Sequence, residues 1–238
     1  DLFGAPSGQC LVESDLSQIE FRIMVCRAKD ENGIAGYLRG DDAHTMTART
    51  IAGVAVPTKK QRSEAKPVNF ALLYGGDWPV VQRQARDEFG IDWEEADCRR
   101  FTKGFFETYP RIRPFHDASR AKLIANRGWF ESVTGHVFYY ADWESQDAGE
   151  RDHAFRAAIN AEGQGPASNI CLYIAVLARR LLDARGFATA RFVNSVYDSI
   201  MTEVPNPKWV PDVIATLDEA TQQAHDWVKS WFVVPLVI

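Results

Sequence analysis

The amino-acid sequence predicts an α+β fold: a small antiparallel sheet with helices, into which a mostly helical segment is inserted. Two observations lead to this prediction. Extended apolar stretches stand near both ends of the 238-residue chain, and its middle is dominated by apolar residues at helical spacing. Strands that are separated by a run of helices, rather than alternating with them, are typical of the α+β class.

The first strand is predicted over residues 9–14, and it leads directly into Asp15. Apolar residues then recur at helical spacing: Leu16, Ile19, Ile23 and Cys26. A helix is therefore predicted immediately after the aspartate.

A longer helix is predicted over residues 58–74, because the pair Gly75-Gly76 is a stop signal. Pro67 removes one amide donor inside this segment, so it predicts a kink or a later start. Residues 92–126 are predicted to be mostly helical.

Breaks in that helical region are expected near Pro110 and Pro114. Residues 129–142 are rich in aromatic and β-branched side chains around Gly135, which predicts a small hairpin.

The C-terminal third is predicted to contain two helices, over 150–162 and from Pro166 to about Gly186, separated by the segment 163–165 with its two glycines. A hairpin over 190–204 follows, with Tyr197-Asp198 at its tip. An amphipathic helix from Val213 to Trp231 and a terminal strand over 232–238 complete the prediction.

The composition leaves function open. The apolar fraction of 46% and the charged fraction of 25% are ordinary for a globular protein, and no apolar run predicts a membrane partner. Four scattered cysteines without a CxxC spacing predict a reducing compartment, the cytoplasm, or the host cytoplasm if the protein is phage-encoded. The net charge of −5 argues mildly against nucleic acid, but an acidic exterior can surround a basic cleft.

Two aspartates are candidate metal ligands. Asp15 stands between a strand and a helix, where it could reach a cation or could simply cap the helix. Asp198 lies at a hairpin tip between apolar flanks, where it could be a turn former or a partly desolvated carboxylate that needs a cation.

One helix face offers candidate nucleotide-binding groups. Steps of four residues align two cations and two aromatic rings: Arg62, Lys66, Phe70 and Tyr74. This stripe could bind a triphosphate and a base, or it could be a solvated basic end that merges into a buried aromatic end.

Together these segments resemble family A DNA polymerases. Residues 15–22 (DLSQIEFR) resemble motif A of that family, and residues 62–75, read as R-x-x-x-K-x-x-N-F-x-x-x-Y-G, are similar to motif B. Residues 196–200 occupy the place of motif C. Two further segments agree in order and spacing: Asp42-Ala43-His44, and Arg156, Asn160, Gln164 and Gly165.

The resemblance implies a DNA-directed DNA polymerase with two Mg²⁺ ions, for which Mn²⁺ can substitute, held about 4 Å apart by Asp15 and Asp198. It implies that Lys66 acts in catalysis as well as in nucleotide binding. The implied nucleotide-binding residues are Arg62, Lys66, Phe70, Tyr74, His44, Gln18 and Glu20. The implied DNA-binding residues are Arg156, Asn160, Gln164 and Tyr197.

Within this set, Glu20 is implied to occupy the space of a ribose 2′-hydroxyl, which selects deoxyribonucleotides. The resemblance also implies the domain order: residues 1–45 form the first part of the palm, 46–150 the fingers, and 151–238 the second part of the palm. The implied partners are primer–template DNA and deoxynucleoside triphosphates. A separate chain that carries a thumb or exonuclease domain, or a processivity factor, is a further expected partner, since only fourteen residues precede motif A.

Motif C departs from the family pattern. The family usually has His-Asp-Glu, whereas this sequence has Tyr197-Asp198-Ser199. Two-metal chemistry is expected to persist with fewer acidic ligands. Two alternatives stay open: a single-subunit RNA polymerase of the phage type, against which Glu20 and Phe70 argue, and a polymerase-derived DNA-binding scaffold without strong catalysis.

Overall fold

The computed structural model describes residues 4–238, so residues 1–3 of the predicted first palm segment lie outside it. The described chain divides into two compact units. The first consists of the chain up to Ile19 together with Ala167–Ile238, and the second of Glu20–Pro166. Over residues 4–238, no helix has both the length and the hydropathy that crossing a membrane requires.

Five strands and nine α-helices form within the described residues, together with two short 3-10 helices. The strands are β1 (Cys10–Asp15), β2 (Trp129–Glu131), β3 (Val137–Tyr139), β4 (Arg191–Val196) and β5 (Ser199–Val204). The helices are α1 (Ile19–Ala28), α2 (Glu31–Leu38), α3 (Ala43–Ala52), α4 (Lys59–Leu73), α5 (Trp78–Phe89), α6 (Glu95–Thr108), α7 (Ile112–Ala125), α8 (Ala148–Ala184) and α9 (Val210–Val228). This combination of helices with small antiparallel sheets confirms the predicted α+β class.

The first unit is built on an antiparallel sheet in the order β1-β5-β4. The pairing places Asp15 opposite Ser199 and Ser14 opposite Ile200. The apolar face of α9 is buried throughout its length and packs on β1, which is the reason why its sequence shows such a regular stripe. The predicted hairpin over 190–204 is therefore confirmed as β4 and β5.

The second unit is mostly helical. Its centre includes α1, whose residues Ile23, Met24 and Val25 are fully buried. Phe21 packs against Tyr109 at a ring-centroid distance of 5.0 Å. The short hairpin of β2 and β3 matches the prediction for residues 129–142, and Gly135 adopts the left-handed backbone that its turn requires (φ +84°).

Helix α4 begins at Lys59. Of the two predictions made from Pro67, a kink or a later helix start, the later start is therefore wrong. The Thr58 side chain accepts a hydrogen bond from the Gln61 amide, and the Gln61 side chain accepts one from the Thr58 amide. This capping box fixes the start of the helix. The helix then continues through the buried Pro67 to Leu73.

Three other sequence predictions are wrong. α8 runs unbroken through residues 163–166, since its two glycines cost about 1 kcal/mol each and Pro166 about 3, and the burial of several apolar residues on both sides, such as Ile159 and Ile170, outweighs this. Pro114 lies in the first turn of α7 and breaks nothing, because amides there have no intrahelical acceptor. Residues 232–238 form no strand; a single backbone hydrogen bond of 2.8 Å joins Ser17 N to Val237 O.

Candidate functional site

The two candidate metal ligands lie side by side in the first unit. Asp15 ends β1, and Asp198 stands in the turn between β4 and β5. The Leu16 amide donates to the Asp198 carbonyl oxygen over 3.1 Å, which joins the end of β1 to the hairpin tip. The sheet therefore brings together two carboxylates that are 183 residues apart in the sequence.

Burial raises the pKa of Asp198, and so do the negative charge of Asp15 and the hydrogen bond between the two side chains. Two carboxylates in such contact favour a shared proton or a cation between them. Their oxygens are the ligands that Mg²⁺ and Mn²⁺ prefer, so this donor set fits a divalent ion. Within residues 4–238, no three histidine, cysteine, aspartate or glutamate side chains converge in a geometry that could hold a metal.

Two residues next to these aspartates have a left-handed backbone. Gln18 has a φ of +54° and leads from Leu16 into α1; Tyr197 has the same φ at the hairpin tip. Left-handed conformations are uncommon for side chains of this size and often mark functional segments. The Tyr197 side chain is 86% exposed. Sequence reasoning could not find this strain, because neither position carries glycine or asparagine.

In the second unit, Arg62 pairs with Asp42, the first residue of the predicted Asp-x-His segment. A guanidinium nitrogen (Nη2) of Arg62 lies 3.1 Å from Asp42 Oδ1. Asp42 also caps α3 by accepting from the amides of His44 and Thr45. Burial pushes the pKa of Asp42 upward, but hydrogen bonds from Thr45 and Arg62 outweigh it and lower the pKa to about 2.

His44 is buried and neutral. Burial is the main reason why its pKa falls to about 4, and the charges of Arg62 and Lys66 lower it further. Its Nδ1 lies 2.9 Å from Asn69 Nδ2, and Asn69 Oδ1 accepts from the Thr47 hydroxyl over 2.6 Å. Asn69 is the asparagine of the motif B pattern, but no role was predicted for it; its position as a polar residue on the buried face of α4 was the signal that could have indicated one.

The remaining cation and the aromatic ring of the motif B stripe are more accessible. Lys66 is half-buried, and no acidic side chain within residues 4–238 lies within ion-pair distance of it. Phe70 is 44% exposed, and its ring meets the edge of His44 at a centroid distance of 5.6 Å. The stripe therefore places a cation, an aromatic ring and a neutral imidazole near one another on α3 and α4.

Five predicted residues line one cavity of about 320 Å³ in the second unit. They come from two helices and the residue that ends α4: Phe70, Tyr74, Arg156, Asn160 and Gln164. The Tyr74 hydroxyl and Asn160 Oδ1 are buried without a hydrogen-bond partner among the described residues. Both residues also contribute to the lining of this cavity, which makes it a candidate ligand site.

The structure thus forms two groups of predicted site residues. Asp15, Gln18, Asp198 and Tyr197 belong to the first unit, and the other predicted site residues belong to the second. Glu20 lies there in the first turn of α1, half-buried.

Comparison with known proteins identifies the family. The family model for DNA polymerase family A matches residues 1–238. The chain is 32% identical over 204 residues to DNA polymerase I of Pseudomonas aeruginosa, and this match covers 85% of the chain and 22% of that protein. It is also 32% identical over 209 residues to the thermostable DNA polymerase I of Thermus aquaticus, and this match covers 87% of the chain and 24% of that protein.

The fold agrees with a solved structure, the POL domain of Pol1 from M. smegmatis in complex with DNA primer–template and dNTP. The TM-score is 0.82 at 24% identity, and the match covers 94% of this chain and 38% of that one. The chain spans about a quarter of the length of the curated relatives that it matches. With a family model that matches its whole length, the chain belongs to DNA polymerase family A.

Proposed function

We propose that the chain is the catalytic core of a DNA-directed DNA polymerase that adds deoxynucleotides to a primer 3′ end by two-metal phosphoryl transfer. The contact between Asp15 and Asp198 carries this proposal. A structural role for either residue, as a helix cap or a turn former, does not require two carboxylates to lie next to each other. A site that concentrates negative charge to hold divalent ions does.

In this proposal, Asp15 and Asp198 hold two Mg²⁺ ions, with Mn²⁺ as the alternative. When bound, the ions supply Lewis-acid activation of the primer 3′-hydroxyl and neutralise charge on the leaving pyrophosphate. The two aspartates contribute the negative charge and the hard oxygen ligands that this requires.

The nucleotide would be bound by the stripe on α4. Lys66 is available to a triphosphate, since no described carboxylate neutralises it. Arg62 would exchange its half-exposed ion pair with Asp42 for a phosphate, and the charge of the phosphate would replace that of the carboxylate as its partner. His44 would donate one hydrogen bond as a neutral group, and Phe70 would pack on the sugar. The roles of Gln18 and Glu20, including the exclusion of a 2′-hydroxyl by Glu20, rest on motif A alone.

DNA would be bound by the cavity that contains Arg156, Asn160 and Gln164, with Tyr74 at its wall. Tyr197 would present its exposed ring to the primer. Primer–template DNA and dNTP are also what the similar M. smegmatis domain binds.

The domain assignment belongs to the same proposal. Residues 1–45 and 151–238 would form the palm, and residues 46–150 the fingers. The first unit would then supply the metal site and the second the nucleotide-binding helix.

A primer-extension assay with Mg²⁺ and with Mn²⁺ tests the proposal. We expect templated extension by the unaltered chain and a loss of at least a hundredfold for Asp198→Ala, which removes a metal ligand. Asp218→Ala, an aspartate on α9 outside both groups of predicted residues, is the matched control and should keep full activity. If no condition supports extension, and if Asp198→Ala changes neither metal nor nucleotide binding, the proposal is wrong.

A further inference from the structure

The residue that replaces the family's motif C glutamate is bonded to another carboxylate. The Ser199 hydroxyl donates to Glu13 Oε1 over 3.0 Å. Ser199 is buried, whereas Glu13 is exposed on the edge strand β1. The acidic group that is missing from position 199 is thus present next to it, on a strand that comes from the other end of the chain.

The strand register places this carboxylate on the face of β1 that carries Asp15. Side chains two residues apart point to the same face of a strand, so Glu13 and Asp15 share a face of β1. Asp15 pairs directly with Ser199. The Cα atoms of Glu13 and Asp15 are about 6.7 Å apart in an extended strand. A negative charge on Glu13 therefore lies close enough to act on a cation held by Asp15.

We propose that Glu13 supplies the carboxylate that motif C lacks, and that Ser199 positions it. This inference rests on the proposed two-metal function. Glu13 acts beside the ions rather than as a third ligand, since its carboxylate is held by Ser199 and does not converge with Asp15 and Asp198. The carboxylate thus comes from β1, and the hydroxyl that holds it comes from β5.

The alternative is that Glu13 has only a structural role, because charged residues on edge strands commonly prevent edge-to-edge association. Divalent-ion affinity separates the two readings. A unit charge about 7 Å from a divalent cation in water contributes an attraction that corresponds to about a five- to tenfold change in affinity. A solvated edge charge without this placement contributes almost nothing.

The experiment is a titration of the full chain with Mn²⁺, followed by the electron paramagnetic resonance signal of the free ion, without DNA or nucleotide. We expect Glu13→Gln to weaken Mn²⁺ binding about five- to tenfold. The matched control is Glu203→Gln, on the neighbouring strand and paired with Leu11, about 13 Å further along the sheet from Asp15. At low ionic strength, where screening is weak over these distances, a charge at about twice the distance exerts about half the attraction, so this control should change affinity no more than about threefold.

Two further variants test the positioning by Ser199. Ser199→Ala should weaken Mn²⁺ binding about two- to threefold in the unaltered chain, and hardly at all when Glu13→Gln is already present. The double substitution Glu13→Ser with Ser199→Glu returns the carboxylate to the family's position and should keep the affinity within about threefold of the unaltered chain.

Equal Mn²⁺ affinity for Glu13→Gln and Glu203→Gln would overturn this inference, and so would an exchanged variant as weak as Glu13→Gln alone. The proposed function has a separate readout in the same titration. If Asp198→Asn leaves Mn²⁺ binding unchanged, the metal site itself is wrong; if Asp198→Asn abolishes binding while Glu13→Gln does not affect it, only the role of Glu13 is wrong.

Discussion

The side-chain amide of Asn69 fixes which nitrogen of His44 carries the proton. Asn69 Oδ1 accepts from the Thr47 hydroxyl, so its Nδ2 is the atom that faces His44 Nδ1, at 2.9 Å. An amide NH₂ can only donate, and Nδ1 must therefore accept. Because the pKa of His44 is lowered to about 4, the ring is neutral above that pH and its proton resides on Nε2. The imidazole thus has one donor, on the nitrogen that Asn69 does not contact.

The first prediction concerns this proton. In ¹⁵N NMR spectra, His44 should remain the neutral Nε2–H tautomer from pH 8 down to about pH 5, and become charged only as the pH approaches 4. Asn69→Asp places an acceptor at Nδ1, so it should raise the pKa of His44 and move the proton to Nδ1. If the ¹⁵N shifts of His44 in Asn69→Asp equal those of the unaltered chain, Asn69 does not control the tautomer.

The lowered pKa of His44 also makes the stability of the fold depend on pH. The pKa of His44 is lower in the folded state than its ordinary value, so its contribution is fully present above about pH 6.5 and is lost as the pH falls through 4. Asn69→Ala would remove the shorter of the two hydrogen bonds of the Thr47 hydroxyl and the donor that faces His44 Nδ1, and should cost about 1–3 kcal/mol. Chemical denaturation at pH 7 measures that cost.

The second prediction concerns Asp198 without metal. Its pKa is raised, so its contribution to stability is present below the ordinary carboxylate pKa and is lost as the pH rises through the raised value. Asp198→Asn should therefore raise the melting temperature at pH 8 in the presence of a chelator, and the gain should shrink toward pH 4.

Mg²⁺ provides the control for this prediction. It should stabilise the unaltered chain and have little effect on Asp198→Asn, because a ligand that binds only the folded state raises its stability. A melting-temperature difference that is the same at pH 4 and pH 8 would show that the contact with Asp15 does not destabilise the metal-free protein.

How far the sequence predicts the structure depends on the range of the interactions. The strand before Asp15, the hairpin at Tyr197-Asp198 and the helix that stops before Gly75-Gly76 follow from neighbouring residues, and all three form as expected. The unbroken α8 does not follow from local signals, because tertiary burial outweighs the cost of its glycines.

The site shows the same division. Motif spacing gives the individual residues, but it cannot show that Ser199 is bonded to Glu13, 186 positions away. Only the register of β1 and β5 determines that contact. The hydrogen bonds of Asn69 likewise depend on the packing of α3 against α4.

The third prediction concerns Glu162, which the sequence placed at the end of a helix and which the structure buries in the middle of α8. Its carboxylate lies 3.2 Å from Arg27 and 3.8 Å from Lys122, so it connects α8 to α1 and α7. Glu162→Gln should cost about 2–3 kcal/mol of unfolding free energy. This is below the usual cost of breaking a buried pair, because both cations are partly exposed.

Glu95→Gln is the matched control for Glu162, since the ion pair of Glu95 with Arg99 is more than half exposed. It should cost less than about 0.5 kcal/mol. Urea denaturation of both variants gives the comparison, and equal costs would mean that the carboxylate of Glu162 does not stabilise the packing of these three helices.

The last prediction separates strain from binding at Tyr197. Its left-handed backbone costs a residue with a side chain about 1–2 kcal/mol, and part of this is recovered by glycine, which loses more entropy on folding. Tyr197→Gly should therefore stabilise the protein by about 0.5–1 kcal/mol while weakening its affinity for primer–template DNA, because the exposed ring is lost.

Tyr197→Phe keeps the ring and the strain, so it should change neither stability nor DNA affinity by more than about twofold in the corresponding equilibrium constant. Urea denaturation and fluorescence anisotropy with a labelled primer–template measure the two quantities. Stability and affinity that fall together in Tyr197→Gly would mean that the hairpin tip is held by contacts of the tyrosine ring rather than strained by its backbone.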